Sequence, residues 1–391
     1  MRRGGGNILL VANYDSDVGY AWWLMENFWA LIARDAHARQ RACLLAYPRI
    51  GRVPDAIRSA PIEILERRVA PSGPRGALAT GRFLRARRIR AVYLTDWPAL
   101  HWNYLWWRLA GVRSIVLHDH SPGDRLPTRG LKGALKALLH RLRVFSPHHF
   151  VGVAEHVRRR HIENLRVPAA RCSVVENGIV PFTADRSRRA ALRAEFAIPE
   201  HAVLVILVSR ATTYKGLDLA IEVCQRLATA RPGNLIHFLH CGDGPELEQL
   251  RLRASQPALQ GSFHFAGRRT DVHALLAASD LAFHPSRGEA MSLAILEFMC
   301  AGLPVVLSNL PSVSAAVVDG ETALLYAAEN AAAAAAAIAR LADDAELRAR
   351  LGHAAAERCR QRYTLEQANA AFTRLVIPAL DAGWIRGSGR G

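Results

Sequence analysis

Short apolar runs recur along the chain, and the stretches between them return apolar residues every three or four positions. The first run, residues 7–12 (NILLVA), stops at the polar Asn13-Tyr14-Asp15-Ser16-Asp17. That pattern predicts a buried strand and then a loop, after which residues 18–34 carry helical spacing. Further strands are predicted at 42–46, 61–65, 90–95, 113–118, 148–152 and 172–176, with helices between most of them. Strands spaced by helices imply right-handed crossovers and a parallel sheet. The alternation restarts after Asn177-Gly178-Ile179-Val180-Pro181. Residues 202–208 (AVLVILV) are apolar throughout, as a central parallel strand with both faces covered requires. Strands at 234–240, 262–266, 280–284, 303–307 and 322–325 follow. The alanine-rich stretch 327–340 predicts a surface helix. A last helix opens at Thr364, with Gln367 three residues on as in a capping box. The tail 387–391 is expected to be disordered, and no solenoid period is present.

At about 100–200 residues per domain, 391 residues make two domains. The interruption by Gly, Pro and a charged cluster puts the boundary near residues 178–188, giving domains of 1–182 and 183–363. With 50% hydrophobic and 22% charged residues the chain can bury a core, which excludes wholesale disorder. No apolar run reaches the ~18 residues of a membrane span, and the first residues lack the apolar stretch of a secretion signal, so a cytoplasmic location is expected. Six cysteines without a C-x-x-C pair argue against a disulfide framework and a cysteine zinc site.

Charge changes the picture more. The net charge is +17, but residues 1–185 hold 29 Lys and Arg against 14 Asp and Glu, whereas residues 186–391 hold 22 against 20. A basic first half attracts anionic partners such as nucleic acid, acidic lipid headgroups or phosphorylated substrates.

Three segments in the second half could carry chemistry. Ser209-Arg210-Ala211-Thr212-Thr213-Tyr214-Lys215-Gly216 follows the 202–208 strand directly and puts two cations where open α/β sheets bind ligands. Arg offers a bidentate phosphate clamp, Lys a point charge, and the helix starting at Gly216 an anion-attracting N-terminus. A solvated basic loop is the competing interpretation. Cys241-Gly242-Asp243-Gly244-Pro245-Glu246 sits at another strand end, and turn chemistry explains each residue, with Asp243 capping a helix and Pro245 in its first turn. The strongest segment runs from Glu289 through Ala290, Met291 and Ser292 to Glu297. It predicts a helix over 291–300, with the amides of residues 290–292 directed where Glu289 points. Glu297 lies among Leu293, Ile295, Leu296, Phe298 and Met299, so its carboxylate needs a partner that a ligand's hydroxyls would supply.

Taken in order, Arg210…Lys215-Gly216, Gly242-Asp243-Gly244-Pro245, Phe265-Ala266-Gly267-Arg268, Asp280…Pro285-Ser286…Gly288-Glu289…Glu297 and Ala301-Gly302-Leu303-Pro304-Val305-Val306 resemble glycosyltransferase family 4, of the GT-B fold. The resemblance is continuous from about Val174 to Tyr326 and looser before that. It implies two Rossmann-like parallel-sheet domains facing across a cleft, with a C-terminal helix of about residues 364–386 returning to the first domain. It also implies a retaining transfer from a nucleotide-activated sugar, UDP- or GDP-linked. Arg210 and Lys215 would hold the pyrophosphate, Glu297 the ribose, and Glu289 with the amides of Ala290, Met291 and Ser292 the donor sugar or phosphate. The Gly242 turn would line the same site, and the segment around Arg268 would face the nucleobase. Where the family often has Gly-Phe-Gly, this chain has Ala290-Met291-Ser292, and its loop after the first strand offers only Gly19.

Physical chemistry supports such a donor. Breaking a bond to a nucleoside diphosphate develops negative charge on phosphate, which fixed cations and a helix N-terminus stabilise without proton transfer. They could replace a metal: no Asp-x-Asp dyad stands at a strand end in the second half, and Asp15-Ser16-Asp17 reads as a loop. No metal and no further cofactor are expected.

In the first half, His118-Asp119-His120 ends a strand-like run. By the resemblance, His118 on that loop would face the reacting sugar; a histidine capping a turn is the alternative. Seven of eight tryptophans precede residue 110, and residues 97–107 (WPALHWNYLWW) are dense in aromatics. Beside the basic runs 82–90 and 132–143 they suit an anionic membrane surface, with a glycan or lipid-linked sugar as acceptor. A non-catalytic GT-B subunit, a sugar phosphorylase and a nucleotide-sugar epimerase share these motifs, but retention of Arg210, Lys215, Glu289 and Glu297 together argues against decay. A nucleic-acid-binding role would rest on charge alone, without a recognition signature.

Overall fold

The computed structural model describes residues 6–17, 22–69, 73–123, 127–231, 235–259 and 261–381. Gly19, Asn234 at the start of one predicted strand, residues 382–386 of the last predicted helix and the tail 387–391 lie outside the described residues. The chain divides into two compact units, one of Met1–Asn177 with Glu366–Gly391 and one of Gly178–Leu365.

The first unit is built on β1 (Asn7–Val11), β2 (Cys43–Tyr47), β3 (Ile62–Glu66), β4 (Ile89–Thr95), β5 (Ser114–Asp119), β6 (His149–Gly152) and β7 (Cys172–Val174). They form one sheet in the order β3-β2-β1-β4-β5-β6-β7. Every pairing is parallel, for example Leu10 beside Leu45 and Tyr93. The central strands are buried along their length, and Leu9, Val11, Val92, Leu94, Ile115 and Leu117 share one core. The helix Leu365–Asp381, far along the chain, closes this unit. Phe372 stacks on Phe28 with ring centroids 4.3 Å apart, Asn369 accepts a hydrogen bond from Asn27, and Asp381 pairs with Arg39 and Arg41.

The second unit contains β8 (Val203–Val208), β9 (Ile236–Cys241), β10 (Phe263–Gly267), β11 (Leu281–His284), β12 (Val305–Ser308) and β13 (Ala323–Tyr326). The order is β10-β9-β8-β11-β12-β13, again all parallel. Among the described residues, each of the thirteen strands thus falls where the sequence predicts it. The inner strands are largely apolar because both faces are covered, whereas β3 at the sheet edge carries Glu63 and Glu66 and is at most half-buried. The alanine-rich segment differs from its prediction in one respect. The helix is Ala331–Asp343, capped by the Asn330 side chain, and it is not merely a surface element. Ala331, Ala334, Ala335, Ile338 and Leu341 are buried in the same core as Leu217, Ala220 and Val223. Alanine lets the two helices approach closely.

A buried ion pair ties this unit's opening segment to the sheet. Arg193 is fully buried; its guanidinium donates to the carbonyls of Ala202 and Ala278 and to Asp280, which also accepts from the Leu204 amide. Removing one partner of a buried pair strands the other. Asp280 would retain Arg189 at 2.8 Å, so Arg193→Ala is expected to cost about 3 kcal/mol, the low end for such losses. Urea unfolding of the purified variant measures this.

Candidate functional site

Strand order in the second sheet reverses between β8 and β11, from which neighbours run outward on either side. Crossovers that leave in opposite directions open a crevice at the carboxyl ends of those two strands, where doubly wound sheets bind ligands. The loops after β8, β9 and β11 are drawn together there by glycines. Gly216 (φ +69°) caps the helix Leu217–Ala230, and a Cβ on it would run into the Pro285 carbonyl of the β11 loop. Gly242 (φ +149°) has a backbone closed to L side chains, and a Cβ there would strike the Ser209 carbonyl of the β8 loop. The Ala211 amide bonds to the Asp243 carbonyl and the Gly242 amide to the Gly267 carbonyl, at 3.0 and 2.8 Å.

Across the reversal stands an ion pair. Lys215 Nζ donates to Glu289 Oε1 at 2.6 Å, and His284 Nε2 lies 3.0 Å from the same oxygen. Glu289 is buried. Burial alone would raise its carboxyl, but the Lys215 charge and the His284 hydrogen bond outweigh it and hold the pKa down at about 2. Glu289 is therefore ionised at neutral pH.

Glu297 has the opposite fate. It sits on the helix Leu293–Cys300 between buried Leu296 and Phe298, and its Oε2 is buried without a hydrogen-bond partner. Burial, helped by neighbouring Cys300, pushes its pKa up to about 7. Ser209 Oγ, at the end of β8, is also buried and unpartnered. Unmade hydrogen bonds at buried polar atoms are costly, and ordered water or a bound polar ligand relieves them.

Arg210 and Arg268 stand exposed after β8 and β10, and among the described residues neither guanidinium has a hydrogen-bond or ion-pair partner. Of the candidates in this unit, then, Lys215 and Glu289 touch, Gly242 packs the loops, Glu297 is an orphan, and the two arginines are uncommitted. The helix begins at Leu293 rather than 291: Ser292 is its cap, with extended backbone, and Ala290 and Met291 are buried ahead of it. Its free amides therefore start at Ser292, not Ala290. Asp243 does not cap a helix, and Pro245 precedes the first turn. The helix there starts at Leu247, and the Asp243 side chain instead accepts from the Gly244 amide.

Two residues went unassigned in the sequence. His284 fixes Glu289. Arg287 grips Asp218, in the first turn of the helix after Gly216, at 2.8 and 2.9 Å, and Glu329 at 3.0 and 2.9 Å. It thereby pins the β11 loop beside Lys215.

In the first unit, His118 is not on a loop. β5 continues to Asp119, which pairs with Gly152, so His118 is a fully buried strand residue. Its Nδ1 lies 2.6 Å from the Tyr93 hydroxyl, and its Nε2 is unpartnered. Burial and the neighbouring His120 hold its pKa well below 6.5, so the ring is neutral. Asp119 is committed to structure: it accepts from Arg160 and His161 at 3.0 and 2.7 Å. Asp15-Ser16-Asp17 forms a loop, with Ser16 Oγ accepting from the Gly51 amide. Of the aromatic segment, Trp107 is buried, while Trp102 and Trp106 are exposed. The basic run 82–90 is not a free face either, since Arg87 pairs with Glu63 and Arg90 donates to the Gly111 carbonyl.

Comparison with known proteins agrees in both halves. Residues 25–181 match the family model described as Glycosyltransferase Family 4, and residues 188–358 that described as Glycosyl transferases group 1. The D-inositol 3-phosphate glycosyltransferase of Corynebacterium efficiens is 30% identical over 208 residues, 51% of this chain and 48% of that protein. The alpha-D-kanosaminyltransferase of Streptomyces kanamyceticus is 29% identical over 184 residues, 46% and 47% of the two chains. The chain spans about half the length of the curated relatives it matches. Among solved structures, a glycosyltransferase from Rickettsia africae superposes with a TM-score of 0.77 at 15% identity, covering 97% of this chain and 99% of that one. Anabaena HepE, in complex with UDP, gives 0.71 at 19% identity over 94% and 98%. At such identities the likeness establishes the fold alone. With family models matching both halves in order, this chain belongs to glycosyltransferase family 4 and has the GT-B fold.

Proposed function

We propose that the protein is a retaining, metal-independent glycosyltransferase that moves a sugar from a nucleotide-sugar donor to a glycan or lipid-linked acceptor. The observation that carries this proposal is the buried, unpartnered carboxylate oxygen of Glu297, on the helix that follows the β11 loop whose Glu289 pairs with Lys215. A ribose diol has the two donors that such a carboxylate lacks. Arg210, uncommitted and exposed, and Lys215 supply positive charge for the diphosphate. Both bonds to Glu289 end on Oε1, which leaves Oε2 for a hydroxyl of the donor sugar. Because Glu289 stays ionised, it serves as a hydrogen-bond acceptor and not as a general acid.

In the reaction, the bond from the sugar's anomeric carbon to phosphate oxygen breaks and one to the acceptor oxygen forms. The acceptor's proton leaves with the nucleoside diphosphate, whose growing charge the cations of the β8 loop stabilise. Lys215 is preorganised for this, because Glu289 and Arg287 fix its loop before any ligand arrives. UDP bound to Anabaena HepE is consistent with a uridine donor. His118, neutral and without exposed surface, would position its neighbours by hydrogen bonding and not act as a cation. A thermal-shift screen against UDP-, GDP- and ADP-sugars identifies the donor, since binding raises apparent stability by mass action.

Glu297→Ala is expected to weaken donor binding by about 1.5–3 kcal/mol, the worth of a hydrogen bond to a charged group. Calorimetric titration with the nucleotide sugar reads this directly. Lys215→Ala should lower kcat by roughly 100-fold or more while changing donor affinity less. Unaltered transfer in both variants would remove the site assignment.

Glu297 also sets a pH signature. Its folded-state pKa, about 7, lies above its ordinary 4.5, so between these values the folded protein holds a proton that the unfolded chain has lost. The unliganded protein should therefore lose stability as pH rises from about 4.5 through 7. Donor affinity should move the other way, falling as pH drops below about 7 and the carboxylate is neutralised. Glu297→Gln should remove the affinity slope and make the stability slope shallower without abolishing it, since burial also raises Glu26 and Asp96 to about 7; thermal melts and donor titrations across pH 5–8 follow both.

A further inference from the structure

The helix Gly130–Leu142 turns leucines outward. Leu131 is 90% exposed, and Leu135, Leu138 and Leu142 are 56, 51 and 57% exposed. At about 100° per residue these four positions fall within roughly 60° of arc, forming a single stripe. The opposite face is the seated one, with Gly133 and His140 buried. At Gly133 a Cβ would meet the Thr128 carbonyl at 2.5 Å, and His140 Nδ1 lies 2.8 Å from Ser146 Oγ. An apolar stripe on the outer face reverses the usual arrangement of a surface helix.

Cations flank that stripe on both sides. By the same rotation Lys132 lies about 90° to one side of its centre and Arg141 about 90° to the other. Lys132 and Arg141 are exposed, as are Arg129 and Arg143 at the helix ends. Residues 127–154 contain no Asp or Glu. Just past the helix, Phe145 packs edge-on against Trp102, whose ring is 69% exposed, with centroids 4.8 Å apart. An aromatic ring with one wet edge is the side chain favoured at a lipid–water boundary.

We propose that the helix Gly130–Leu142, with Trp102, docks the protein onto a bilayer containing anionic lipid. The leucine stripe would sink to the headgroup–acyl boundary while Lys132, Arg141, Arg129 and Arg143 meet lipid phosphates. A second copy of the chain fits this face less well. A symmetric contact would bring the same cation-flanked stripe against itself, with like charges opposed. The inference is independent of the reaction assigned above, because none of these residues belongs to the donor site.

The test is flotation of the full-length protein with vesicles of phosphatidylcholine alone and of phosphatidylcholine mixed with phosphatidylglycerol. Binding to the mixed vesicles should exceed binding to the neutral ones by about tenfold or more and weaken as salt is raised. The variant with Leu131, Leu135, Leu138 and Leu142 all changed to Gln should lose about tenfold of that binding, and so should Lys132→Glu with Arg141→Glu. Unchanged melting temperatures would show that the folds survive, as outward side chains predict. Equal binding to both vesicle types, binding to neither, or a leucine variant that floats like the parent would overturn the proposal. So would a concentration-dependent dimer in sedimentation velocity that the leucine variant abolishes, because the stripe would then belong to a second copy.

Discussion

A lysine ammonium and a buried carboxylate 2.6 Å apart, shared with a histidine, are the contact on which the second unit's site depends. Burial acts against the charge of Glu289, and the Lys215 cation, helped by the His284 hydrogen bond, keeps it ionised. The pair joins the loops following β8 and β11, the two strands between which sheet order reverses. Had these loops drifted apart, an uncompensated charge would be left in a largely dry place, so the contact fixes geometry as much as it adds stability. Arg287 repeats the connection from the outside, through Asp218 and Glu329.

The two glutamates of the strongest motif are eight residues apart and chemically unlike. Glu289 is ion-paired and ionised; Glu297 is held near neutrality by burial and short of a partner. A site composed of one satisfied and one unsatisfied carboxylate separates two tasks. The satisfied one keeps the shape of the crevice without ligand, and the unsatisfied one gains most when a ligand with hydroxyls arrives. Part of the binding free energy of such a ligand would come from relieving an unfavourable burial already present in the free protein.

Much of this could be read from the chain because parallel strands have to be apolar throughout, so residues 202–208 or 303–307 announce themselves. The burial of Glu297 was legible for the same reason, from its apolar neighbours. What escaped the sequence was what depends on distant partners. Arg287 bonds to residues 69 and 42 positions away, which no local pattern encodes. His284 looked like the polar end of a strand. His118 was placed on a loop by the family resemblance, although the apolar run put it at the end of the predicted strand 113–118; pairing of β5 with β6 carries that strand through Asp119. The leucines at 131, 135, 138 and 142 have the spacing of a core-facing helix, and only the exposed surface shows that they face outward.

The helix Leu365–Asp381 belongs to the unit that begins the chain, and its Asn369 meets Asn27 across 342 residues of sequence. On the ribosome the two units would therefore mature in an unexpected order. Gly178–Leu365 is contiguous and can condense once it has emerged, while the earlier half must wait, with Phe28 and Ser114 lacking their covering helix, until synthesis has passed through the later one. Such a half-finished sheet is a natural client for a chaperone, and it ties completion of the amino-terminal half to successful translation of nearly everything else.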